Sequence, residues 1–158
     1  MSPILLLILV TGLYAGYNLL IKVSSDFVPA QATTTVLATV CLQVAALAAS
    51  AGFIVFLHLR NAEVVLKLSP SAYAWAAAAG LCIGAAEIAY FYLFGGLGSG
   101  KPMAANLAVP AIVSGTIVIT FIVSYFLFRE PLTWPQLLGA GLVIAGIATM
   151  FLGRASAS

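Results

Sequence analysis

Residues 71–95, SAYAWAAAAGLCIGAAEIAYFYLFG, form an apolar run from Ser71 to Gly95 broken by a single charge, Glu87. A helix that crosses about 30 Å of hydrocarbon needs about 20 mostly apolar residues. This run has that length, and it lacks the period-two alternation of a barrel strand. Working outward, the charged residues cut the chain into four more pieces of similar size. They cover about 3–21, ending at Lys22; about 31–57, closed by His58 and Arg60; about 104–128; and about 133–152. The links are short: a polar one with Glu63, Lys67 and Pro70, a glycine-rich one over residues 95–102, and a turn at Arg129, Glu130 and Pro131. Trp75 and Trp134 stand near helix starts, where indole rings favour the membrane interface. The expected fold class is an all-α integral membrane protein, a five-transmembrane-helix bundle forming one domain over 1–153, with 154–158 a short tail.

Composition supports the same class. Of 158 residues, 63% are hydrophobic and 6% charged, and the mean hydropathy is +1.17, a surface that would aggregate in water. The net charge is +2, and the six basic residues are scattered singly, which sets nucleic-acid binding aside. Cys41 and Cys82 lie inside apolar runs and read as small buried hydrophobes, not as a disulfide or a metal pair. Histidine occurs once, at His58, no His or Cys cluster has ligand spacing, and no serine has a base nearby in sequence. Neither an enzyme nor a metal or other cofactor is expected. The glycine-rich link lacks the strand and the Lys-Ser/Thr ending of a phosphate loop and reads as a hinge around Gly98 and Gly100. The first segment has no basic stretch ahead of it and no small-residue cleavage site after it, so it reads as a retained helix.

With an odd number of helices the termini lie on opposite faces. Arg60, Lys67 and Arg129 then share one face, and Lys22, Lys101 and Arg154 the other. Three against three gives the positive-inside rule nothing to choose by. Two expectations stay open: copies insert both ways and pair in opposition, like an inverted repeat, or a partner or the amino terminus sets one orientation.

The polar residues inside the runs carry the functional reading. An acid at the depth of Glu87 costs on the order of 2.5 to 3.5 kcal/mol on insertion scales, so it should point into protein. Gly80, Gly84 and Glu87 fall at i, i+4 and i+7, and the small-xxx-small pair on that face marks a close helix contact. Such an acid can exchange a proton, meet a cationic substrate, or simply pin two helices together. Tyr90, one turn further on, joins it as a candidate.

Thr11, Tyr14, Asn18 and Lys22 make a polar stripe at i, i+3, i+7 and i+11 of the first helix. Of these, Tyr14 and Asn18 suit substrate contact, Lys22 suits an anion contact or a snorkelling anchor, and Thr11 suits a bond to its own helix. Thr35, Thr39 and Gln43 repeat the pattern in the second helix, and Asn106, Pro110 and Ser114 in the fourth. Pro110 removes one helix hydrogen bond and kinks the chain, which suits a gated cavity. The last helix, with Gly139, Gly141 and Gly146, reads as packing surface for a dimer contact.

Two segments resemble a known family. Gly16-Tyr17-Asn18-Leu19-Leu20-Ile21-Lys22 is similar to the Trp-Gly-x-Asn-x-x-x-Lys region that opens EamA-type domains of the drug/metabolite transporter superfamily, with Tyr17 or Tyr14 where the aromatic would be. The stretch 110–128, followed by Glu130-Pro131-Leu132-Thr133, Gln136, Gly139 and Gly146, resembles that family's closing signature. The resemblance spans the chain as one five-helix repeat, whereas many relatives carry two. It implies one half of a 5+5 inverted-repeat transporter, pairing with itself or with a similar half-length chain around a central cavity. It also implies that Glu130 is a turn residue near the interface. An intramembrane acid corresponding to Glu87 is not a general signature of the family, so its role rests on the physical argument alone, and cargo is not carried over, since the family moves amino acids, other metabolites and drugs.

The expected function is therefore a transporter or exporter of small metabolites working by alternating access in the lipid bilayer, as a dimer of half-size units, in the cytoplasmic membrane of a prokaryote. One alternative is proton-coupled efflux of lipophilic cations, as in small multidrug resistance proteins, although those have four helices and carry their acid in the first. Another is a non-transporting membrane subunit of a larger complex.

Overall fold

The computed structural model describes residues 2–63, 65–97 and 100–155, with side chains to residue 153. Its elements are α1 (Pro3–Phe27), α2 (Ala32–Leu59), α3 (Pro70–Gly95), α4 (Ala105–Phe126) and α5 (Trp134–Ala155), and no strand occurs among the described residues. All five helices are long and apolar enough to cross a membrane, so the chain is a multi-pass integral membrane protein. Large apolar side chains cover the outside: Leu7 is 66% exposed, Leu47 68% and Leu142 74%. A surface of that kind is solvated by lipid tails.

Local chemistry explains the helix ends. Ser2 caps α1 by accepting from the Leu5 amide at 3.3 Å, and Pro3 opens the first turn. The helix runs past its expected end at Lys22, with no helix breaker before Pro29, and Lys22 pairs with Asp26 one turn on, which adds modest support to the extra turn. Pro29 stops it, since a proline ring disfavours helical backbone in the residue before it and Val28 is extended. Ser69 caps α3 by accepting from the Ala72 amide at 3.2 Å.

Gly96 ends α3 in the left-handed conformation, φ 74°, where a Cβ would lie 2.7 Å from the Pro102 nitrogen. Only glycine fits there. α4 stops at Phe126, two residues before the expected 128, and Arg129 turns the chain at φ 56°. At the start of α5 the Gln136 side-chain oxygen makes the reach-back half of a capping box, accepting from the Thr133 amide at 2.8 Å and from the Thr133 hydroxyl at 3.0 Å. It continues to Ala155, so the expected tail is helical over its first two residues.

Packing divides the chain into two compact units, Met1–Pro102 and Met103–Ser158, at the glycine-rich link. In the first, α1 and α2 each pack on α3 but form no comparable seam with one another. A groove is left between them, floored by α3. In the second, α4 and α5 form a hairpin with an apolar chamber lined by residues such as Phe121, Tyr125, Leu137 and Ile144.

Cys41 and Cys82 are exposed and not buried as expected. A membrane helix buries only the stripe that touches its neighbours, and lipid covers the rest, so an apolar side chain gains little by facing protein.

Candidate functional site

The floor of the groove is one face of α3, with Ile83, Glu87 and Phe91 at i, i+4 and i+8. Glu87 is 3% exposed. Its Oε2 and the Tyr17 hydroxyl are buried without a hydrogen-bond partner, the two side-chain atoms among the described residues in that condition. Both residues line a cavity of about 300 Å³ together with Tyr14 and Gln43. Tyr14 and Tyr17 meet edge to face, with ring centroids 6.3 Å apart at 83°, a favoured aromatic geometry.

Gln43 reaches the groove because Gly84 leaves room for it. A Cβ on Gly84 would lie 2.9 Å from Gln43 Nε2. The close approach expected on the Gly80, Gly84 and Glu87 face therefore occurs at Gly84, while a Cβ on Gly80 would meet nothing within 4 Å. A second cavity of about 590 Å³ continues along the same groove and shares Leu13, Tyr17 and Leu42 with the first. Its other walls are mostly apolar, with Leu20 and Ile21 on α1, Ala38 and Ala45 on α2, and Phe91 on α3.

Of the sequence candidates, Glu87, Tyr14 and Gln43 come together here. Asn18 is buried, and its amide donates to the Tyr14 carbonyl at 2.8 Å, so it braces α1 from within. Lys22 pairs with Asp26. Tyr90 packs edge to face on Phe94 at 5.4 Å. Thr11, Thr35 and Thr39 donate to carbonyls of their own helices at 2.8, 2.9 and 3.1 Å, the common fate of such hydroxyls in membrane helices.

In the second unit Pro110 lies inside α4, where its ring leaves the carbonyl of Asn106 without its helical donor. Ser114 is buried, and Asn106 lines a cavity with Ala104, Leu107 and Met150. Gly100 closes a turn by donating to the Gly96 carbonyl at 2.9 Å, with φ 71°. Gly98 lies outside the described residues.

Tyr17 is not among the residues the sequence singles out for the site, although it lines both cavities of the groove. The α1 wall follows Leu13, Tyr17, Leu20 and Ser24, roughly a third of a turn around the helix from the stripe of Thr11, Asn18 and Lys22. The most polar face of α1 is satisfied internally, and the neighbouring face lines the groove. An i, i+4 pattern running through Leu13 and Tyr17 was the available signal, and its apolar members hid it.

Comparison with protein-family models, with curated proteins and with solved structures finds no match to this chain. The class that fold and site define is a multi-pass helical membrane protein holding a buried carboxyl group in a groove between its helices.

Proposed function

We propose that this chain is a small-molecule transporter that works by alternating access, with Glu87 as its coupling residue. The observation that carries the reading is a carboxyl oxygen buried without a partner in a groove among membrane helices. Intramembrane acids are expensive to insert and mark substrate or proton pathways. An acid held only to pin helices would spend its oxygens on neighbours, whereas this one keeps an acceptor unspent. Tyr14, Tyr17 and Gln43 would shape the site around it.

On this reading the chain is a half-size unit resembling one EamA-type repeat, and two copies, or this chain and a similar one, complete the translocation path. A prokaryotic cytoplasmic membrane is its proposed home. The test is purified protein in liposomes with an imposed pH or ion gradient and a mixed pool of small metabolites. Gradient-driven uptake by the native chain that falls to background in Glu87→Gln supports the proposal. Failure to move any substrate under any gradient rejects it.

A further inference from the structure

We infer that the groove takes an amphipathic organic monocation, its ammonium group at Glu87 and its apolar body along α1 and α2 toward Phe91; the inference rests on the transport reading above and names its cargo.

Charge decides the sign. Among the residues lining the two cavities Glu87 is the single ionisable carboxylate, and none is Lys, Arg or His. Lys22, the basic residue nearest on α1, is held by Asp26. An anion would meet like charge with no compensating cation, whereas a monocation would neutralise a buried carboxylate that is otherwise costly to hold. A metal ion is disfavoured because hard cations take six or more oxygen ligands, and this part of the groove offers Glu87, two tyrosine hydroxyls and the Gln43 amide. The paired rings of Tyr14 and Tyr17 can instead receive the flank of an ammonium group through its attraction to aromatic faces.

Shape decides the body. The α1 wall from Leu13 to Ser24 spans about 16 Å at the helical rise, and Leu13, Tyr17 and Leu42 are common to the smaller chamber and the larger one. A ligand with its cation by Glu87 therefore has an apolar chamber of about 590 Å³ to extend into. A lipid tail or a second copy's helix would fill the apolar chamber without using the carboxyl group, and both become outcomes of the test.

The experiment measures saturable binding to the full chain in phosphatidylcholine nanodiscs, with empty nanodiscs as background. The probes are benzyltrimethylammonium, its uncharged isostere neopentylbenzene, and the longer 4-phenylbutyl-trimethylammonium. The native chain is expected to bind the benzyl cation at least about tenfold more tightly than the isostere, and Glu87→Gln to remove that preference. The longer cation is expected to bind more tightly than the benzyl one, and Ala45→Leu, which narrows the larger chamber from its α2 wall, to reduce that gain more than it reduces benzyl binding. The second variant keeps Glu87 and so reads the inference even if Glu87→Gln fails to fold. Equal binding of cation and isostere, no saturable binding of either, or a length gain undiminished in Ala45→Leu overturns it. Because binding is read without transport, cation binding by a protein that moves nothing in liposomes rejects the transport reading alone. Glu87-dependent uptake of an uncharged cargo without cation binding rejects the cation alone.

Discussion

Gln43 on α2 lies across Gly84 on α3, so close that a Cβ on the glycine would stand 2.9 Å from the Gln43 amide nitrogen. The absence of one carbon on α3 thus lets an amide from α2 sit beside the groove, one turn from Glu87.

Replacing Gly84 separates site from fold. In Gly84→Ala the obstructed atom is the far end of a flexible side chain, so Gln43 can swing aside, while alanine improves helix propensity. Thermal unfolding of the solubilised protein is expected to change by no more than about 1 kcal/mol. Binding and transport should weaken nonetheless, because Gln43 leaves its place. A large loss of stability would show that the approach is tighter than a movable side chain allows.

At Gly96 the prediction reverses. Its Cβ would meet backbone atoms, Lys101 carbonyl carbon at 2.8 Å and Pro102 nitrogen at 2.7 Å, in a left-handed conformation. Gly96→Ala is expected to cost about 1 to 3 kcal/mol through strain at the end of α3, read as a lower unfolding midpoint in detergent. Gly100→Ala, with the same sign of φ but open space around it, should cost less.

The start of α5 depends on the Gln136 side chain accepting from the Thr133 amide. Gln136→Leu removes that acceptor and should destabilise by about 1 kcal/mol, whereas Gln136→Glu retains it and should not. Chemical denaturation of the two variants side by side checks the difference.

Orientation can be read directly. A cysteine at Asn61, exposed just after α2, in a background with Cys41 and Cys82 replaced, reports which side of the membrane that link occupies. Labelling from both sides of sealed vesicles is the outcome expected for two opposed copies. Labelling from one side excludes an inverted homodimer and turns the search to a second half-length chain or a parallel assembly.

Much of the architecture was legible in the sequence because it depends on solvent matching summed over long windows. Five apolar runs of membrane-spanning length leave few alternatives when every backbone group must be bonded inside its own helix. Glu87 was legible for the same reason: a lone acid in an apolar run has to be compensated by something. The end of α1 is not legible from hydropathy, because a charge at Lys22 closes the apolar run without stopping the helix, which continues through the Lys22–Asp26 pair to Phe27.

The sequence by itself determined that the chain lives in a membrane, about where its helices lie, and which acid stands inside them. Only the tertiary structure decided which polar residues remain available. Asn18, Thr35 and Thr39 are spent on their own helices, and Lys22 is spent on Asp26. Tyr17 and Glu87, by contrast, keep buried atoms unpartnered in a shared groove. Helical periodicity gives each residue an angle around its own axis, but whether that angle meets a neighbour, a groove or lipid depends on how α1 and α2 lean on α3, and those contacts join residues far apart in the chain.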